Sequence, residues 1–192
     1  MNLTYEDPIL FLGVDIGIKR DTSAISAVYR HHDTGLFCLW GIRIFPAPVN
    51  MLTQVEPLLF WLFQNHRIAA CAFDETQFAS TQARLEADGY ANKLLAINQN
   101  TTLKKATSTL HAHCNDRQFL PHKDSDLRSQ ISWCSVKHTE QGPHITKSNQ
   151  NRQIDGVVAT AMALLAATGD LGFVMHQGFD SQIHAKSAMS LP

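Results

Sequence analysis

The periodicity of hydrophobic and polar positions changes along this chain, and in the first part it predicts β-strands. The apolar run at residues 9–14 is almost continuous, and the stretches 22–29 and 36–45 are also rich in strand-forming residues. A strand that is apolar at nearly every position is typical of the middle of a sheet, where both faces are buried. Because short turns join these segments, as at residues 31–35, the three strands are expected to form an antiparallel meander.

Helical periodicity then alternates with further strands. The spacing predicts helices over residues 51–65, 76–88, 102–115 and 152–167, and strands over 68–73 and 94–97. The segment 116–150 is polar and less regular, and within it residues 127–136 are expected to form either a helix or a strand. This order predicts an α/β fold with a mixed central sheet, in which three antiparallel strands are followed by parallel strands, and with helices on both faces.

Composition indicates one globular domain, which we place at residues 1–170. The chain has 192 residues, of which 44% are hydrophobic and 17% charged, and that suits a single well-formed core. Residues 171–192 show little periodicity and are expected to be a C-terminal tail that is mobile or binds a partner. No apolar run approaches the roughly 18 residues of a membrane span, so no contact with a membrane is expected.

Cysteine spacing and the first residues favour a cytosolic protein. The four cysteines include no Cys-x-x-Cys pair, and we expect reduced, mostly buried thiols. The start of the chain carries Glu6 and Asp7 and no basic residue, so it does not resemble a secretory signal.

Three aspartates stand at positions where metal ligands are expected. Asp15 and Asp74 directly follow the two most apolar predicted strands, and Asp155 lies in the first turn of the last predicted helix. If the two strands are neighbours, both carboxylates project from the carboxyl edge of the sheet, where α/β folds bind their ligands. If the last helix packs across the sheet, Asp155 approaches them.

Each aspartate also has a purely structural interpretation. An aspartate after a strand often caps a turn, and a carboxylate in the first turn of a helix, such as Asp155, interacts favourably with the helix dipole. The combination of two strand ends and a closing helix nevertheless favours a metal site. Grouped carboxylate oxygens suit a hard cation such as Mg²⁺, and a pair of ions about 3.5–4 Å apart supports phosphodiester hydrolysis.

Short motifs in a fixed order resemble the nuclease domain of bacteriophage terminase large subunits. The resemblance covers residues 9–168 and rests on Gly13-Val14-Asp15-Ile16-Gly17, Arg20-Asp21-Thr22-Ser23-Ala24, Phe73-Asp74, Lys147, Ile154-Asp155-Gly156-Val157-Val158-Ala159 and Met162-Ala163-Leu164. It implies an RNase H-like fold, dependence on Mg²⁺ or Mn²⁺ with two ions, and cutting of double-stranded viral DNA during genome packaging. Carried over, the catalytic and metal-binding residues are Asp15, Asp74 and Asp155, and weaker matches make Asp21 and Glu75 accessory carboxylates.

The same resemblance implies partners in the cytoplasm of a bacterial host. They are double-stranded DNA, a terminase ATPase domain or chain, a small terminase subunit and the portal. This sequence has no Gly-x-x-x-x-Gly-Lys-Ser/Thr loop, so we expect either an isolated nuclease domain or a motor on a separate polypeptide.

Basic residues of the second half are the expected contacts to DNA. Lys147 and Arg152 closely precede Asp155, and Lys104 and Lys105 lie at the start of a predicted helix. The net charge of −1 argues against a strongly basic DNA-binding surface, although a local basic face suffices for phosphate contacts. Two alternatives remain: another RNase H-like nuclease, such as a junction resolvase or an integrase-like enzyme, and a non-catalytic module that binds within a packaging complex.

Overall fold

The computed structural model describes residues 7–17, 22–98, 101–121, 123–139 and 142–170. In this part of the chain the strands are β1 (Leu10–Asp15), β2 (Ser23–Arg30), β3 (Phe37–Phe45), β4 (Ile68–Asp74), β5 (Leu94–Ile97), β6 (Phe119–Leu120), β7 (Cys134–Thr139) and β8 (Gly142–Lys147). The α-helices are α1 (Glu56–Asn65), α2 (Glu75–Ala87), α3 (Thr102–Asn115), α4 (Ser125–Ser132) and α5 (Asp155–Thr168).

A mixed sheet of six strands forms the centre of the molecule. Its order is β5-β4-β1-β2-β3-β6. The pairs β1–β2 and β2–β3 are antiparallel, whereas β4, β5 and β6 each run parallel to a neighbour. The predicted meander and the predicted mixed sheet are therefore confirmed, and β1 and β4, the two most apolar predicted strands, are neighbours.

Helices cover both faces of this sheet, as predicted. On one face, Phe11 and Ala72 pack with residues of α3, α4 and α5. On the other face, Leu12 and Phe73 pack with residues of α1 and α2. Because successive residues of a strand point to opposite faces, each central strand contributes to both cores. Full burial of such an apolar side chain contributes about 1.5–3 kcal/mol.

The segment 116–150 is more regular than its sequence pattern predicts. It contains β6, α4 and the hairpin of β7 and β8, which forms a separate two-stranded sheet. Residues 127–136 form the end of α4 and the start of β7 rather than one element. The hairpin strands are half-buried or exposed and mix polar with apolar residues, so they lack the apolar run that marks β1 and β4.

Two predicted helix boundaries differ from the structure. The helix predicted at 51–65 begins as one turn of π-helix, Met51–Val55, before α1. Pro57, at the start of α1, has no N–H to continue an α-helical bond pattern. The closing helix begins at Asp155, because Ile154 has a non-helical conformation and acts as the N-cap residue.

The cysteines of the described residues are reduced, as expected. All four cysteines are free; Cys38 and Cys71 are buried, Cys134 is half-buried and Cys114 is exposed. None of the described helices has the length and apolar character needed to cross a membrane. The predicted tail, residues 171–192, lies outside the described part of the chain, and the domain limits of 1–170 stay a prediction.

Candidate active site

Asp15 and Asp74 end neighbouring parallel strands. Val14 of β1 is in register with Phe73 of β4, so the two aspartates follow side by side at the carboxyl edge of the sheet. Gly13 and Ala72 are also in register, and Ala72 belongs to the core beneath α5. Because side chains alternate along a strand, Asp15 and Asp74 point to the face that α5 covers.

Asp155 reaches the same edge on the same face. Its carboxylate accepts a hydrogen bond from the hydroxyl of Thr22, 133 residues away in the sequence. Thr22 immediately precedes β2, and β2 pairs with the end of β1 through Asp15 and Ala24. The start of α5 is thus held beside the carboxyl end of β1, and Asp155 is 8% exposed there.

The position of α5 follows from a close approach to β1. A Cβ atom on Gly13 would lie 1.9 Å from the carbonyl oxygen of Ala159 and 2.6 Å from the amide nitrogen of Ala163. Ala159 and Asp155 are four residues apart and so share one face of the helix. A second link joins the helix to β2, since the hydroxyls of Ser26 and Thr160 lie 3.0 Å apart.

The structural interpretations of Asp74 and Asp155 are confirmed. Asp74 is the N-cap of α2: its Oδ1 accepts bonds from the amide of Thr76 at 3.0 Å and from the hydroxyl of Thr76 at 2.9 Å. Asp155 is the acidic residue in the first turn of α5. Capping and metal binding are compatible, because a carboxylate has two oxygens and about four acceptor positions.

The beginning of α5 depends on a side chain from another helix. Its N-cap residue Ile154 makes no side-chain cap. Instead, Oε1 of Gln130, in α4, accepts a 2.7 Å hydrogen bond from the amide of Gly156. Gln130 is buried, and a Cβ atom on Gly156 would lie 2.8 Å from that oxygen. The sequence predicts neither of these roles, although Thr22 lies within the motif at residues 20–24 and Gln130 within residues 127–133, a segment that also resembles the terminase nucleases.

Asp21 and Glu75 are the two predicted accessory carboxylates. Asp21 lies outside the described residues. Glu75 is the first residue of α2, directly after Asp74, and is exposed. Its position beside Asp74 is compatible with an accessory role, which stays a prediction.

The four predicted DNA contacts lie on three different elements. Lys147 ends β8 opposite Cys134, and Ser148 is tied to Trp133 by a 2.8 Å backbone bond. The guanidinium of Arg152 lies 4.8 Å from the ring centre of Trp133. Lys104 and Lys105 are exposed in the first turn of α3, and Nζ of Lys105 donates to the carbonyl of Asp170 at 2.7 Å. Their role as DNA contacts stays a prediction.

A tighter group of potential metal ligands lies elsewhere. Among the described residues, His31, His32 and Asp33 are the one set of three whose ligand atoms all fall within 4.8 Å of one another. They occupy the turn between β2 and β3, at the sheet edge opposite the aspartates. The sequence marks this segment only as a turn. Nδ1 of His31 already faces the backbone amides of Asp33 and Thr34, at 3.3 and 3.5 Å.

Comparison with solved structures identifies the class of fold. No family model matches the sequence, and no curated protein matches it significantly. The large terminase of bacteriophage HK97 superposes with a TM-score of 0.69 and 17% identity, over 84% of this chain and 40% of that chain. The large terminase nuclease of thermophilic phage G20c with bound magnesium gives 0.62 and 19%, over 82% and 80%. The nuclease domain of Thermus phage P74-26 gives 0.63 and 19%, over 82% and 81%.

The chain therefore has an RNase H-like α/β fold. More narrowly, this is the fold of the nuclease domain of bacteriophage large terminases, and the predicted resemblance is confirmed at that level. The chain spans about four fifths of the isolated nuclease domains and two fifths of the HK97 chain.

Proposed function

We propose that this chain is a metal-dependent endonuclease domain that cuts double-stranded DNA during viral genome packaging, as the nuclease part of a large terminase. The observation that carries the proposal is the convergence of Asp15, Asp74 and Asp155 on one face of one sheet edge, within the fold of terminase nucleases. Capping and helix-dipole interactions explain single aspartates, but they do not require that carboxylates from β1, β4 and α5 lie on one face of the same sheet edge.

The three residues fit a hard divalent cation. All their ligand atoms are carboxylate oxygens, which Mg²⁺ and Mn²⁺ prefer, and the G20c nuclease of the same fold binds magnesium. Asp155 is largely buried, and a buried carboxylate requires a compensating charge or hydrogen bonds. We assign Asp15, Asp74 and Asp155 as ligands of two ions, with Glu75 and Asp21 as accessory carboxylates.

In phosphodiester hydrolysis at this site, the metal ions and the protein residues would have different roles. Bound ions would supply an activated water and stabilise the leaving oxygen of the phosphodiester. The chain's part is to hold its carboxylates at fixed positions. Strand register fixes Asp15 beside Asp74, the cap bonds to Thr76 fix the Asp74 side chain, and the hydroxyl of Thr22 orients Asp155.

Basic side chains would hold the DNA. We assign phosphate contacts to Lys147, Arg152, Lys104 and Lys105. Arg152 is the best placed, because it is three residues before Asp155 and its guanidinium packs on Trp133. Phosphate contacts position a duplex without reading its sequence, so little sequence preference is expected.

The wider assembly is also a proposal. The HK97 chain is much longer than the part matched here, which supports an ATPase domain or chain as a partner. A small terminase subunit and the portal, in the cytoplasm of a bacterial host, complete the expected packaging machinery.

The test is cleavage of supercoiled plasmid with Mg²⁺, with Mn²⁺ or with EDTA. Asp74→Asn retains an oxygen that can cap α2 but loses the charge. Activity should fall at least about 100-fold, because loss of a residue that merely hydrogen-bonds to a metal ligand already lowers metal affinity or activity by about 10–100-fold.

Asp88→Asn is the matched control. Asp88 is exposed at the other end of α2, so this variant should cut normally. Cutting by Asp74→Asn at the normal rate would disprove this site. If the folded wild type does not cut DNA with either metal, two alternatives remain: a domain that needs an ATPase partner, and a non-catalytic binding module.

A further inference from the structure

A groove lies between helix α3 and the hairpin of β7 and β8. Its volume is about 410 Å³. One wall is a single face of α3, and the other is the end of the hairpin. The polar residues that line it include Thr101, Lys104, Ser108, Thr109, Thr139 and His144.

The polar groups of this groove suit an anion. The lysine ammonium donates hydrogen bonds and carries positive charge, and the hydroxyls of serine and threonine can all donate. No carboxylate is found among the described residues that line the groove. A tetrahedral phosphate, with several oxygens that accept hydrogen bonds, matches a wall of donors around one or two positive charges.

His144 supplies a second, independent indication of a ligand. Its Nδ1 is buried and has no hydrogen-bond partner. Buried polar nitrogens are nearly always paired, and an exception calls for an explanation. Because His144 lines the groove and either imidazole nitrogen can carry the proton, a phosphate oxygen bound there is a candidate partner for this ring.

The groove begins at the sheet edge where the aspartates lie. Ile97, the last residue of β5, is in register with Asp74. The next residue, Asn98, accepts a 3.0 Å backbone bond from Leu103 in the first turn of α3. Thr101 and Lys104, in and beside the first turn of α3, are therefore the groove residues that this connection brings towards the proposed cleavage site.

We propose that the groove between α3 and the hairpin binds a backbone phosphate of the DNA, through Lys104, the hydroxyls of Ser108 and Thr109, and His144. The proposal rests on the function proposed above and adds a second anchoring point for the substrate, apart from the aspartates. Such an anchor fixes where the duplex leaves the site and increases affinity without contacting the scissile bond. Lys105 is engaged with the carbonyl of Asp170, so Lys104 is the cation to test.

The experiment measures binding of a fluorescein-labelled DNA duplex by anisotropy, in EDTA, over a series of salt concentrations. Lys104→Gln should weaken binding several-fold and reduce the slope of log affinity against log salt by about 0.9, the value for one phosphate contact. His144→Phe keeps the ring but removes both nitrogens, and it should weaken binding while changing the slope less. Lys93→Gln removes the same charge at the amino end of β5, outside the groove. This control should bind DNA like the wild type.

The outcomes separate this proposal from the nuclease proposal. If Lys104→Gln and His144→Phe both bind DNA normally and circular dichroism shows that they are folded, the proposal of phosphate binding in the groove is overturned. This holds even if plasmid cutting still depends on Asp74. If both variants bind DNA more weakly and Lys93→Gln binds it normally, the result supports phosphate binding in the groove, even if no cutting is observed. An equal loss in all three variants would also overturn it, because general electrostatic attraction would then explain the binding.

Discussion

Gly13 and Ala159 are in such close contact that a Cβ atom on Gly13 would lie 1.9 Å from the carbonyl oxygen of Ala159. Helix α5 thus rests directly on the backbone of β1. Asp15 lies two residues after this contact on the strand, and Asp155 lies one helical turn before it on the helix. The absence of a side chain at Gly13 thus allows Asp15 and Asp155 to approach each other.

Gly13→Ala should separate α5 from β1 and impair the site. The clash is with backbone atoms, which cannot rotate away, so we expect destabilisation at or above the usual cost of overpacking, about 1–3 kcal/mol. Urea denaturation measures this, and plasmid cutting should fall as well. Gly41→Ala is the control, because nothing lies within 4 Å of a Cβ atom at Gly41 on β3. Equal stability of the two variants would contradict the packing described here.

Thr22→Val should weaken metal binding more than it weakens folding. Valine has nearly the shape of threonine but cannot donate the hydrogen bond to the Asp155 carboxylate. Loss of such an orienting partner typically costs about 10–100-fold in metal affinity or activity. The measurement is the Mg²⁺ concentration for half-maximal cutting, which should rise.

Thr22→Ser keeps the hydroxyl and is the matched control for this prediction. It should restore most of the activity at low Mg²⁺. If Thr22→Val cuts as well as Thr22→Ser at low Mg²⁺, the hydroxyl of Thr22 does not orient Asp155.

Gln130→Met should destabilise the start of α5. Methionine fills a similar volume but leaves the buried amide of Gly156 without its acceptor, at a cost of about 1–3 kcal/mol. Gln64→Met, at an exposed position of α1, should be nearly neutral. Chemical denaturation of both variants tests this, and a Gln130→Met protein as stable as the wild type would show that the amide finds another acceptor.

Some residues of the candidate site could be predicted from the sequence and others could not. Asp15 and Asp74 could be found because each ends a nearly continuous apolar run, and strands of that kind lie together at the centre of a sheet. Asp155 could be found from its place at the start of an apolar helix. Thr22 and Gln130 could not, because their partners Asp155 and Gly156 are 133 and 26 residues distant, and a single polar residue leaves no periodic signal. The hairpin of β7 and β8 was missed for a related reason, since half-exposed strands need no apolar run.

Two of the cysteines should resist modification in the folded protein. Burial raises the pKa of Cys134 to about 11 and raises the pKa of Cys71 strongly, so both remain thiols at neutral pH, whereas the thiolate is the reactive form. Burial also raises the pKa of Cys114, but its side chain is exposed, so iodoacetamide at pH 8 should modify it first, as peptide mass spectrometry can verify. Rapid labelling of Cys71 in native conditions would indicate that the core around β4 opens.

The same pKa changes predict a loss of stability in alkali. Both folded-state pKa values are raised above the ordinary thiol value of 9.0, so the unfolded chain loses these protons first. Their contribution is present below about pH 9 and decreases as the pH rises above it. Urea midpoints measured between neutral pH and pH 10 should fall, and Cys71→Ala should reduce the slope although it lowers stability at neutral pH.

Divalent metal should stabilise the protein, and the effect should depend on the three aspartates. Like charges at one sheet edge repel in the absence of a cation, and a ligand that binds only the folded state stabilises it by about 2.7 kcal/mol at 100 times its dissociation constant. Mg²⁺ and Mn²⁺ should therefore raise the melting temperature of the wild type and of Asp88→Asn. Asp74→Asn and Asp155→Asn should show a much smaller increase. An increase that is the same in all four proteins would place the metal elsewhere, and the His31, His32 and Asp33 turn would be the next site to test, by His32→Ala in the same assay.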